Sequence, residues 1–252
     1  ATVYDSAGTS YSVTSIGELA FYYCISMASI VIPTSVTSIG KEAFYGCFAL
    51  TSVAFAENSK LTSIGDSAFY DCFELTRVTF AENSKLASIG NNAFAWCSKL
   101  ESVEIPSGVT SIGDKTFRST GLTSIVIPAS VTSIGNEAFS KCINLSSVTF
   151  EDKENSKLTG IPDNMLNECR ALKSIELPAG ITSIGKGAFH YTGLTSIVIP
   201  EGVTTIGEIA FMYCDALRTV TIPASVTSVA SNIFAECTGP IAVTYGGSQE
   251  QW

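Results

Sequence analysis

The sequence predicts an α/β repeat solenoid, built of about ten coils of 22–27 residues, each pairing short strands with a short helical turn. Three observations predict it. Near-identical phrases recur along the chain, such as VTSIGKEAF (36–44), VTSIGDKTF (109–117) and VTSIGNEAF (131–139). The Ile or Val inside each phrase returns at a nearly constant interval, from Ile16 through Ile39, Ile64, Ile89, Ile112, Ile134, Ile161, Ile184 and Ile206 to Val229. Five residues beyond each stands a large apolar side chain, Phe in every copy except Leu166.

The first element of a coil is a strand such as LTSIVIP, residues 122–128, in which Leu122, Ile125 and Ile127 point inward. Proline closes it in six copies, because proline cannot donate a ladder hydrogen bond. Three copies carry a charged loop there instead: AENSK after Phe55, AENSK after Phe80 and EDKENSK after Phe150. The second element is V-T-S-I-G, a short extended piece whose glycine is expected to supply a backbone angle that side chains resist. The third is N-E-A-F-S-K-C, where Ala138, Phe139 and Cys142 have the spacing of one face of a brief helical turn. Length varies only at the seams, so residues 1–252 read as one solenoid domain, with 1–24 an atypical first coil and 238–252 a strand-and-turn cap ending in Trp252.

Composition narrows the partners. The chain has 252 residues, 46% of them hydrophobic, and a net charge of −9. That balance argues against nucleic acid or an anionic membrane surface, both of which attract basic patches. No run of 18 apolar residues is present to span a bilayer. The first residues show neither the charged nor the apolar region of a signal peptide.

The eight cysteines all lie three residues after the core Phe or Leu. They form one column and read as a reduced, buried ladder rather than a disulfide framework or a metal site. His190 occupies a column that accepts any residue and reads as an exposed surface position. No Ser or Cys is tied to it by a catalytic motif, and no phosphate-binding glycine loop occurs. No catalytic residue, cofactor or metal is therefore expected. The Thr column of the second strand (Thr14, Thr37, Thr62, Thr110 and onward) lacks the strict T-x-T of an ice-binding face.

The pattern C-x-x-L-x-x-[IV]-x-[ILF]-P-x-x-V-T-S-I-G-x-x-A-F resembles the BspA-like, or Treponema-type, leucine-rich repeats over essentially the whole chain. Pro162 and Ala230 stand where the repeat has Gly, and Thr120 and Thr192 where it has Cys. The resemblance implies a curved array with strands on the concave side and helical turns on the convex side. It also implies a secreted or surface-attached bacterial protein, acting as a monomer. Such a module would bind protein ligands, including host matrix or plasma proteins, or serve as a spacer presenting other domains. Two candidate faces follow. On the concave side, Arg77, Glu101, Glu104, Lys173, Glu176 and Arg218 interrupt a face of small hydroxyl residues. On the convex side, Tyr22, Tyr45, Tyr70 and Trp96 make an aromatic patch of the kind that concentrates binding energy.

Overall fold

The structure, a computed structural model, describes residues 2–4 and 10–248. Across them the chain winds as a β-solenoid of twenty short strands, and no helix occurs among the described residues. Each regular coil contributes a longer strand, such as Ser124–Ile127, and a two-residue strand, such as Ser133–Ile134. Successive coils pair in parallel with like residues opposite like: Ile125 faces Val148, and Ile112 faces both Ile89 and Ile134. This register turns the sequence columns into ladders, because every coil buries the same positions against the next. At the start, Thr2–Tyr4 pairs antiparallel with Ser10–Ser12. At the end, Ala242–Tyr245 pairs with Thr219–Ile222, while residues 249–252, with Trp252, lie outside the described residues.

The α/β expectation is thus corrected: the convex segments are turns, not helix. In residues 137–142 the amides alternate between two uses. Those of Glu137, Phe139 and Lys141 donate to Asp163, Met165 and Asn167 of the next coil, at 2.9, 3.0 and 2.7 Å. Those of Ser140 and Cys142 close local turns on Glu137 and Phe139. An α-helix would send every amide to the carbonyl four residues back. Two left-handed residues per coil, Glu137 (φ 57°) and Lys141 (φ 63°) here, also forbid a continuous right-handed helix. The spacing of Ala138, Phe139 and Cys142 suits a turn ladder as well as it suits a helix face.

Those left-handed positions are rarely glycine. At the first of them the chain has Asn92, Asn164 and Asn232, which tolerate the conformation, but also the β-branched Ile209 (φ 53°). We expect Ile209→Asn to stabilise the array by about 1 kcal/mol, through relief of left-handed strain. A denaturant midpoint at or below that of the parent would contradict it.

The core holds a stack of parallel rings. Phe44, Phe69, Phe94, Phe117 and Phe139 are fully buried, with successive centroids 4.9–5.6 Å apart. The cysteine column lies beside it as free thiols. Each thiol from Cys47 onward donates to the Phe carbonyl of the coil before, as in Cys97 Sγ to Phe69 O (3.1 Å) and Cys142 Sγ to Phe117 O (3.0 Å). Thr120 and Thr192 fit the same column because their hydroxyls donate to Phe117 O and Phe189 O. The Thr column is likewise consumed internally: Thr37, Thr62 and Thr132 hydroxyls donate to Thr14, Thr37 and Thr110 carbonyls.

The V-T-S-I-G glycine has a different purpose from the one expected. Its φ is not left-handed in any coil; positive-φ glycines are Gly46, Gly187 and Gly202, all elsewhere in the repeat. From Gly40 onward it is required because one coil lies directly on the one before at this point, leaving no room for a Cβ. Its amide also donates to the Ile carbonyl of the preceding coil, as from Gly135 to Ile112. Pro162 has no amide to give, and the two-strand ladder is interrupted there, between Ser133–Ile134 and Gly160–Ile161.

Candidate binding site

The longer-strand sheet is interrupted twice. Its three pieces are Ser29–Ile32 with Ser52–Phe55 and Arg77–Thr79, then Ser124–Ile127 with Ser147–Phe150, then Ser196–Val198 onward. The skipped segments are 102–105 and 174–177, which have no backbone ladder to either neighbouring coil. Each belongs to a short proline-ended coil that directly follows a loop-bearing one, AENSK in the first case and EDKENSK in the second. Toward the following coil each segment starts in the common register, since the Thr123 and Thr195 amides donate to Glu101 O and Lys173 O, and the ladder is lost from the next residue on. At the outward strand position they carry Glu104 and Glu176, where the paired proline-ended strands have Val31, Val126, Val198 or Thr221. Glutamate is depleted in strands and does nothing to hold such a segment in the sheet.

The first interruption opens a groove of about 930 Å³. Arg77, Thr79 and Glu82 line one side, and Lys99, Glu101 and Glu104 the other. Its floor is apolar: Val78, Val103 and Ile105 are 7–8% exposed, against 0–2% for Val53, Ile125 and Val220 in intact ladders. Behind it the two-residue strands run unbroken from Ile64 through Ile89 to Ile112, so the opening is on one side only. Lys99 is committed to Glu74, with its Nζ 2.7 Å from the carboxylate. Arg77, Glu82, Glu101 and Glu104 have no ion-pair partner among the described residues.

The six charged residues of the strand face therefore do not form one site. Arg77, Glu101 and Glu104 come together in the first groove. Glu176 lines a smaller groove, about 220 Å³, at the second interruption, where Lys153 of the long loop forms an ion pair with it. That ammonium holds Glu176 below the usual carboxylate range and is itself raised in turn. Lys173 lies on the same face outside this groove, and Arg218 folds back to donate to the Asp215 and Leu217 carbonyls, each at 2.8 Å. Sequence reading missed Glu82, Lys99 and Lys153, because loop charges read as solvating groups and carry no columnar signal.

The aromatic patch is partly used up by its own packing. Tyr22 stacks on Tyr45 (5.3 Å between centroids) and Tyr45 on Tyr70 (4.8 Å). Burial, with the neighbouring Tyr70 next, pushes the Tyr45 hydroxyl above its ordinary pKa. Tyr22, Tyr23 and Trp96 remain exposed at the surface. His190 is not the exposed residue expected. It is half-buried, with Nδ1 3.1 Å from Asn167 Oδ1 and its ring against Tyr191, and burial lowers its pKa.

Most of the buried thiols are poor nucleophiles for a physical reason, Cys47 being the exception because its contact with Cys72 lowers its pKa. Burial pushes Cys142 and Cys214 up to about 11, so little thiolate exists near neutral pH. We expect a thiol reagent to label Cys24 and Cys237 first, since these alone are half-buried, and the other six only on unfolding. Mass spectrometry of the labelled peptides checks the order, and early labelling of Cys97 would contradict it.

Residues 14–129 and 110–240 match the BspA type leucine rich repeat region, in six copies. No curated protein matches the chain. Among solved structures, it is similar to a leucine-rich repeat protein from Bacteroides ovatus, at 28% identity over 98% of this chain and 70% of that one, with a TM-score of 0.67. It is also similar to one from Eubacterium ventriosum, at 26% identity over 86% and 72% of the two chains, TM-score 0.53. The leucine-rich repeat protein of T. pallidum shares the fold, at 24% identity, 86% and 87% coverage and TM-score 0.60.

Proposed function

The chain belongs to the BspA type leucine-rich repeat family, and from that premise we propose that it is a non-enzymatic protein-binding module of a bacterial surface or secreted protein, acting in adhesion. The groove containing Arg77, Glu101 and Glu104 is the observation that carries the reading. It gives a hydroxyl-rich face a place where a partner's surface can be held by both unpaired charge and apolar contact. No histidine or cysteine lines it, and none of its carboxylates is placed against a catalytic partner. That favours recognition over chemistry.

The test is binding to immobilised host matrix and plasma proteins, fibronectin and fibrinogen among them, at physiological salt. The expected result is saturable binding that weakens about ten-fold, or about 1.4 kcal/mol, in the Glu101→Lys, Glu104→Lys double variant. Both side chains are exposed, so the denaturant midpoint should not move. Tyr22→Ala with Trp96→Ala reads the aromatic patch in the same assay, with a smaller expected loss. A panel that stays silent overturns the adhesive reading in favour of a spacer.

A further inference from the structure

Two strand edges face the first groove without ladder partners: Arg77–Thr79, paired only with Ser52–Ala54, and the segment 102–105, paired with nothing. Unpaired amides and carbonyls along a strand edge are a template for another extended chain. In the interior of a sheet such edges are normally consumed by the next coil, so an interruption flanked by two of them is a built opening. The floor of Val78, Val103 and Ile105 would take the inward side chains of an added strand.

The second interruption shows what the outward positions attract. It is formed by the equivalent coil, with Glu176 in the place of Glu104, and there a lysine of the chain's own longer loop reaches across to the glutamate. The shorter loop at the first groove has one lysine, Lys85, which does not line the groove, and Glu104 and Glu101 remain without an ion-pair partner among the described residues. Glu82 adds a third carboxylate, against Arg77 as the one uncommitted cation.

We propose that the first groove binds an extended, lysine-bearing peptide segment of a partner protein by strand addition. Its main chain pairs with the open edges, and its ammonium groups meet Glu101 and Glu104 as Lys153 meets Glu176. This rests on the reading of the chain as a protein-binding module and names the chemistry of its ligand.

The probe is a fluorescent peptide of alternating valine and lysine, titrated into the full chain. Three comparisons accompany it: the same peptide N-methylated at alternate residues, its valine–glutamate counterpart, and the Glu101→Gln, Glu104→Gln variant. The expected result is saturable binding of the first peptide, weakened about ten-fold or more in each comparison. Hydrogen exchange locates it: the amides of 102–105 should exchange fast in the free protein and slow on peptide addition, while those of Thr219–Thr221, paired on both sides, stay slow throughout. Equal binding of the N-methylated peptide would overturn strand addition, and an unchanged affinity in the glutamine variant would overturn the charge assignment. No binding at all, or protection elsewhere, overturns the site. If matrix proteins bind but the peptide does not, this inference fails and the adhesive reading stands; the reverse result sinks the adhesive reading and leaves the groove.

Discussion

Phe139→Ala should lower the stability of the array by about 3–5 kcal/mol, the range for truncating a buried aromatic side chain. The ring is fully buried and lies flat against Phe117, centroids 5.6 Å apart and planes within 5°. Its other neighbour in the column is Leu166, which is smaller, so the cavity left by the deletion cannot be filled from that side. Neither can the backbone collapse, because the Phe139 amide and carbonyl are tied to Met165 and to the Cys142 and Cys169 groups. The loss is therefore both transfer free energy and a persistent void. A denaturant midpoint corresponding to less than about 1 kcal/mol would place Phe139 outside the core.

The columns that dictate this result are legible in the sequence, because parallel in-register stacking puts the same residue type at the same place in every coil. Ile, Phe and Cys recur at fixed offsets, and the structure buries them together. The route of the backbone between those positions is less legible. Turns and a helix share the spacing of Ala138, Phe139 and Cys142, and only the amide partners, supplied by a coil more than twenty residues away, tell them apart. Another ladder was within reach and passed unread. The residue after the glycine, or after Pro162 in the last case, is Asp66, Asn91, Asp114, Asn136 and Asp163 in five successive coils. Each side-chain Oδ1 accepts the amide of its successor, as in Asn91 N to Asp66 Oδ1 (2.7 Å) and Asn136 N to Asp114 Oδ1 (2.7 Å). A run of short acceptors in one column was the signal. The groove is a different case. Arg77, Glu101 and Glu104 stand out as departures from a hydroxyl-rich face, but their meeting depends on a sheet interruption. That interruption coincides with the step from a loop-bearing coil to a shorter, proline-ended one, which no single column records.

Gly113→Ala should destabilise the array by about 1–3 kcal/mol through overpacking. A Cβ at this position would lie 2.6 Å from the Asn91 amide nitrogen and 2.7 Å from the Gly90 carbonyl carbon. These are backbone atoms of the coil beneath, held by their own ladder, so no side-chain rotation can make room. The coil must lift instead, stretching the bond from the Gly113 amide to Ile89 O, now 2.9 Å, and loosening the neighbouring Asp114 contact to Asn91. Gly17→Ala is the matched control. Gly17 closes the V-T-S-I-G phrase of the first coil, which has no coil beneath it at this point, and a Cβ there meets nothing within 4 Å. If the glycine were needed for its backbone angle, both substitutions would be costly. If it is needed because one coil presses on another, the Gly113 variant alone loses stability. Denaturant midpoints of the two alanine variants, measured side by side, separate these accounts, and equal losses would refute the close-approach explanation.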